Sequence, residues 1–356
     1  MWKNIVAGVL VALALAGPVP EAVGIGPYTA TKIELPPGLN VNSVTGMNGM
    51  GHVTLTTGGL GTYSYLWSAG TLTSLPGEGL YMMTSVAAVN NEDKAVGQML
   101  WYTQSFAVSW THGQMTMLDL GAMASSRSSA DAISNGGLIV GLTQTPQGTR
   151  LYTLDAQGVV MDCGSLPTSF LRVMDANESG QVVLMEGALM NGYLYSGGQF
   201  FALPDLQGGN FGAVQAINDN GLMVGMSYPR QANGRAAYWL AGGQAPCALP
   251  VPDGTTGSMV MDVNNLGQMV GYYDQSGRRA CMWDSDGTFH DLADLVLDET
   301  VRDLLTMGCQ INDCGQIAAQ SGSLGYLLTP IPEPATLSLL ALGLSAFVLR
   351  RRRPAS

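Results

Sequence analysis

Short apolar runs broken by Asn- and Gly-containing turns fill the chain between its two ends, without the amphipathic spacing that marks helices. One unit stands out. Residues 216–225, Ala-Ile-Asn-Asp-Asn-Gly-Leu-Met-Val-Gly, return as residues 262–271, Asp-Val-Asn-Asn-Leu-Gly-Gln-Met-Val-Gly. Weaker copies centre on Asn48, Asn90, Ser134, Asn177 and Asn312, so seven positions recur 41 to 48 residues apart once Asn218 and Asn264 are included. That period belongs to four-stranded propeller blades.

Each unit has the same internal order. A first strand ends at the Asn, and a tight Asn-x-x-Gly turn follows, closed by Gly51, Gly137, Gly180, Gly221, Gly267 or Gly315. Asn can hold such a turn through its own side chain, and Gly takes positive φ at no steric cost. A second strand such as Leu138-Ile139-Val140 leads through a variable loop to a third strand carrying an aromatic. Tyr65-Leu66-Trp67, Val108-Ser109-Trp110, Ala237-Tyr238-Trp239 and Cys281-Met282-Trp283 are the clear cases. A Gly turn and a fourth strand, such as residues 115–120, complete the unit. Three copies depart from the pattern: Asp93 stands where the turn Gly is expected, Ser134 replaces the Asn, and Leu184 replaces the Gly that ends the second strand. The expected fold is all-β, a seven-bladed β-propeller of four-stranded blades over residues 17–330. Residues 31–35 read as a fourth strand and residues 325–328 as a third. The N-terminal strand is therefore expected to complete the seventh blade beside residues 325–329 and remove the open edge.

The ends read differently. Lys3 followed by the apolar run 5–16 and the small residues Ala14-Leu15-Ala16 has the form of a secretory signal peptide over residues 1–16. At about 1.5 Å per residue that run falls short of a membrane core of roughly 30 Å, which disfavours an anchor. At the other end, over residues 331–356, Pro332-Glu333-Pro334 precedes an apolar run, 335–349, and then Arg350, Arg351, Arg352 and Arg353. The arginines stay on the cytoplasmic side of a single membrane helix. A simple tail anchor would explain the run alone. The three ordered elements together resemble the PEP-CTERM sorting signal of Gram-negative bacteria. That resemblance implies recognition by an exosortase, a membrane transpeptidase-like processing enzyme, in systems that also make exopolysaccharide. It implies transient anchoring in the inner membrane and a final location at the cell surface or outside. The repeat core 217–225 with residues 236–239 also resembles the HAF family of extracellular repeats, a family that brings no defined activity with it.

Composition adds limits. At 46% hydrophobic and 12% charged, the chain has the balance of a folded protein, not a disordered one. The net charge is −11, and five of the 15 basic residues, Lys3 and the four terminal arginines, lie in the end segments. No basic patch remains to neutralise phosphates, so nucleic acid is not an expected partner.

Candidate chemistry is sparse. His52, His112 and His290 lie in different repeats without metal-ligand spacing, and the chain has no phosphate loop and no nucleophile elbow. Asp284-Ser285-Asp286-Gly287 suggests a calcium loop, but its glycine comes too early for an EF-hand, and a plain turn fits its position between two strands. The five cysteines, Cys163, Cys247, Cys281, Cys309 and Cys314, read as small hydrophobes, although Cys309 and Cys314 flank the last Asn turn. No metal, cofactor or catalytic residue is expected. A ligand face is expected where the variable loops emerge, carrying Trp101, Tyr102, Tyr228, Arg230, Tyr272, Tyr273 and Asp274, side chains suited to stacking on sugars and hydrogen-bonding them.

Two function classes follow. The first is a non-enzymatic surface or matrix protein with exopolysaccharide as candidate ligand. The second is a propeller hydrolase or lyase acting on extracellular glycans. Acids clustered at the central channel would favour the enzyme, and a Val-, Gly- and Ala-lined channel the binder. Second-strand sequences such as Val140-Gly141 and Val224-Gly225 point to the binder.

Overall fold

Seven antiparallel four-stranded sheets, six of them in simple sequential order, are arranged as the blades of a propeller in the computed structural model. It describes residues 26–332 except 59–62, 78–82, 169–170, 188–189, 207–211, 229–232 and 241–244. The signal-peptide segment, the apolar run 335–349, Glu333, Pro334, the four terminal arginines and Arg230 lie outside the described residues. Among the described residues no helix is long and apolar enough to cross a membrane.

Blade 1 comprises Asn40–Met47, Val53–Gly58, Tyr63–Ser68 and Thr71–Leu75. Blade 7 takes three strands from the C-terminal end, Met307–Ile311, Ile317–Ser321 and Leu324–Pro330, and its fourth from the N-terminus, Tyr28–Lys32. The ring closes as expected, but with different bounds. Pairing runs from Tyr28↔Pro330 to Lys32↔Tyr326, and the Ile33 amide adds one bond to the Gly325 carbonyl at 2.9 Å. Residues 34 and 35 have left the ladder. Tyr28, 2% exposed, explains the earlier start, because its ring is part of the core.

The Asn turns do two jobs. Asn218 Oδ1 accepts from the amides of Asn220 and Leu222 at 3.1 and 3.0 Å, which fixes its own turn, and Gly221 there takes φ 77°. Its Nδ2 then donates to the carbonyl of Asn264 in the next blade at 2.9 Å. The same inter-blade bond runs from Asn48 to Asn90, Asn177 to Asn218, Asn264 to Asn312, and across the closure from Asn312 to Asn48. The belt breaks at Ser134, whose side chain is too short to reach onward, and Asn90 Nδ2 has no partner.

A bulge in the first strand of each blade brings its backbone against the second strand. This accounts for the second-strand glycine: a Cβ on Gly271 would lie 2.0 Å from the Met259 carbonyl oxygen. Blades 1, 4 and 7 instead bury Leu55, Leu184 and Ala319 at that position. Third-strand tryptophans weld blades on the outer side. The Nε1 atoms of Trp110, Trp239 and Trp283 donate to the carbonyls of Pro76, Pro204 and Pro250 at the end of the preceding blade, at 3.0, 2.7 and 2.7 Å. Apolar burial follows the same plan. The cluster of Leu66, Leu75, Val86, Val89, Val108 and Trp110, for example, lies between blades 1 and 2.

Two short helices, Leu292–Leu295 and Glu299–Arg302, interrupt the all-β pattern between blades 6 and 7. Asp291 and Asp298 cap them by accepting from the amides of Ala293 and Thr300. Leu292 and Val301 are buried, so the insert is packed down and not a loose loop.

Candidate functional site

In this topology the Asn turns and the third-to-fourth turns emerge on one face, and the loops after strands two and four on the other. The second face carries the expected ligand residues, and the structure divides them. Trp101 and Tyr102 form the tight turn after the second strand of blade 2, where pairing ends at Trp101↔Gln104. Tyr102 takes φ 54°, and the two rings are 43% and 86% exposed with centroids 6.1 Å apart, tilted by 50°. This is an aromatic pair open to solvent. Tyr228 is half-buried just beyond the second strand of blade 5.

Blade 6 behaves differently. Tyr272 is half-buried, and the Arg278 guanidinium carbon sits 3.8 Å from its ring centre, so one face of the ring is already taken. Asp274 pairs with Arg278 at 3.2 Å. Tyr273 is a correction: it is 3% exposed, its hydroxyl donates to Asp291 at 2.7 Å, and its ring packs edge-on against Phe289. Burial and that hydrogen bond push its hydroxyl up to about 12. Adjacent strand residues point to opposite sides, so one tyrosine of the pair had to face inward.

The channel also requires a correction. Its wall is made by the first strands, not the second, and three of its residues are carboxylates: Asp131, Asp175 and Asp262. They are half-buried, enclosed by protein yet still open to channel water. Burial pushes the Asp131 carboxyl up to about 6, against the opposing pull of the Ser129 hydroxyl and the Leu142 amide. Asp175 rises to about 7, again chiefly through burial, and Asp262 to about 8 through burial and the neighbouring Asp175. Asp175 accepts from the amide of Ile217 in the next blade at 2.9 Å, and Asp262 from that of Ile311 at 2.8 Å. At the channel mouth Glu178, Asp219 and Asp313 accept amide hydrogens from the preceding blades. Residues in the sequence just before the Asn turns were the available signal for these acids. The Val-, Gly- and Ala-lined channel expected of a binder is therefore not found, and by the same criterion the clustered acids weigh toward the enzyme reading. Asp175 and Asp262, however, clamp adjacent blades, whereas Asp131 bonds within its own blade, and the channel, about 240 Å³, is smaller than the roughly 300 Å³ at which small-molecule pockets begin.

Asn48, Asn90, Asn177, Asn218, Asn264, Asn312 and Ser134 are buried, and Asn177, which opens the glycosylation sequon Asn177-Glu178-Ser179, is held by its own turn and by the next blade. The residues 284–287 form a turn in which the Gly287 amide donates to the Asp284 carbonyl at 2.8 Å. Among the described residues no group of acidic, His and Cys side chains is placed to hold a metal ion. All five cysteines are free; Cys163, Cys281 and Cys309 are buried as small hydrophobes, whereas Cys247 and Cys314 are exposed.

The last strand ends at Pro330, just before Pro332-Glu333-Pro334 in the chain. Residues 330–353 match the model of the PEP-CTERM protein-sorting motif. The chain carries a PEP-CTERM sorting signal. PEP-CTERM signals are recognised by exosortase-type enzymes, and the motif implies export followed by C-terminal sorting at the membrane. No curated protein matches the chain. Among solved structures it is similar to a streptogramin B lyase, at 12% identity and TM-score 0.55, covering 86% of this chain and 98% of that one. A catalytically inactive virginiamycin B lyase from Staphylococcus aureus gives 10% identity and TM-score 0.56, over 85% and 100% of the two chains. YCF48 from Cyanidioschyzon merolae gives 11% and 0.53, over 86% and 99%. Likeness at these identities concerns the propeller fold alone.

Proposed function

We propose that this PEP-CTERM protein is a cell-surface propeller, delivered by an exosortase-type enzyme, that holds exopolysaccharide on its loop face. The observation that carries the delivery half is the motif at residues 330–353, which begins where the last strand ends. The likeness of its repeats to HAF-type extracellular repeats supports the same destination. The ligand half is supported by the Trp101–Tyr102 pair, two exposed rings on a rigid turn of the kind that stack on sugar faces.

Delivery is tested by changing Pro332-Glu333-Pro334 to Ala-Ala-Ala. The altered protein should stay unprocessed in the inner membrane, while the unaltered one reaches the surface or medium without its arginine block. An exported protein whose intact mass still includes Arg350 to Arg353 overturns delivery. Binding is tested on a glycan array with Trp101→Ala and Tyr102→Ala together. Retention of sugar by the double variant would move the ligand elsewhere.

A further inference from the structure

On the opposite face, at the junction of blades 1 and 2, three side chains from three separate turns meet. His52, which follows the Asn48 turn, places Nδ1 2.7 Å from Asp93 Oδ1 in the Asn90 turn of the next blade. Its Nε2 lies 2.8 Å from Ser68 Oγ, at the end of the third strand of blade 1. Asp93 Oδ1 also accepts from Asn48 Nδ2 at 2.9 Å, so the carboxylate is held from two sides. An ionised carboxylate accepts only, which assigns the imidazole proton to Nδ1. Nε2 then presents its lone pair to the Ser68 hydroxyl, which donates to it. Hydroxyl, base and orienting carboxylate are connected in the order that activates a serine nucleophile.

Turn bonding accounts for part of the set, since Asp93 Oδ1 takes the Asn48 Nδ2 hydrogen as Gln268 and Gln316 do for their own turn asparagines, but it does not call for a histidine that bridges to a serine. Asp93 takes φ 57° at the position that the other blades give to glycine. Asp tolerates that conformation better than most residues with a Cβ, yet glycine adopts it freely, so the turn alone does not call for Asp. The place of His52 is taken by Gln in blades 4, 6 and 7, and Gln268 and Gln316 simply accept from their own turn asparagines. The group is reachable from solvent: the His52 and Asp93 side chains are 17% and 30% exposed, and Ser68 is half-buried. Beyond Ser68 the ladder ends at Ser68↔Thr71, and Ala69 and Gly70 turn the chain with φ 46° and 88°. The space over Gly70 is open.

We propose that Ser68, His52 and Asp93 form an ester-hydrolysing site for small acyl groups, of the O-acetyl type, carried on an extended polymer. Ser68 is half-buried beside the open space over Gly70, where a short acyl group carried on a polymer can reach it. Ser68 Oγ attacks the ester carbonyl carbon as its proton passes to His52 Nε2. The bond from that carbon to the alcohol oxygen breaks, and the leaving oxygen takes the proton, leaving acyl-Ser68. Water, deprotonated by His52, then attacks the acyl carbon; the acid departs and Ser68 regains its proton. The sum is ester plus water to acid plus alcohol. Asp93 is the positioning residue.

The test treats the full-length chain with a fluorophosphonate probe and locates the adduct by peptide mass spectrometry, alongside 4-nitrophenyl acetate hydrolysis. The adduct should sit on Ser68. Ser68→Ala and His52→Gln should each reduce hydrolysis by about 100-fold or more. Asp93→Gly should slow labelling about tenfold or more with no fall in melting temperature, a separation that a structural role alone would not produce. His52→Gln and Asp93→Gly introduce residues that other blades carry at these positions, so the fold is kept. An unlabelled Ser68 in the unaltered protein, or hydrolysis that survives Ser68→Ala, overturns the proposal. Neither outcome depends on sorting or on sugar binding.

Discussion

The Asn belt can be weighed because the molecule contains its own control. Asn264 is 3% exposed and makes four hydrogen bonds: it accepts from the amides of Leu266 and Gln268, and donates to Gln268 Oε1 and to the Asn312 carbonyl. Asn90 is just as buried but makes only the two accepted bonds, from Glu92 and Lys94, while its Nδ2 is unpaired. At about 1 kcal/mol net per bond, Asn264→Ala should cost about 4 kcal/mol and Asn90→Ala about 2. The difference, about 2 kcal/mol, measures the donor side, one bond of which stays in the turn with Gln268 while the other crosses to Asn312 in the next blade. Urea unfolding followed by tryptophan fluorescence reads it, provided the two variants share the slope of the unaltered protein. Equal losses at the two sites would show that the side chains hold their own turns and nothing between blades, and the belt would lose its role as a closure device.

Two further expectations follow from the channel and the rim. The raised Asp175 and Asp262 carboxyls mean that the folded chain binds more protons than the unfolded one between the ordinary carboxylate range and about 7 to 8, so stability should be highest below that window and fall as pH rises through it. Melting temperatures from pH 5 to 8.5 test this, with a shallower slope expected for Asp262→Asn; a rise toward alkaline pH would refute it. Trp283→Phe removes the 2.7 Å bond to Pro250 from a fully buried ring and leaves a small void, a loss of about 2 kcal/mol by the same unfolding assay; no loss would mean that the bond is formed equally well to water in the unfolded chain.

The repeat count, the strand order and the closing of blade 7 by the N-terminus were legible in the chain because they rest on local chemistry. An Asn that binds the amides two and four residues on, and a Gly at positive φ, leave their mark wherever the turn recurs. The sorting signal was equally legible, being a linear pattern. What the sequence withheld depends on which strands face each other. Tyr273 lies beside Tyr272 in the chain, but pleat parity turned it into the core against Phe289. The channel acids Asp131, Asp175 and Asp262 went unnoticed because the second strand was taken for the channel wall, whereas the first strand is innermost in every blade. His52 and Asp93, 41 residues apart, became partners only when adjacent blades brought their turns within 2.7 Å. Their single trace in the sequence was an aspartate where six other turns have glycine. Turn chemistry is decided within a few residues and is therefore written in the chain, whereas contacts across a blade junction exist only once the ring has closed.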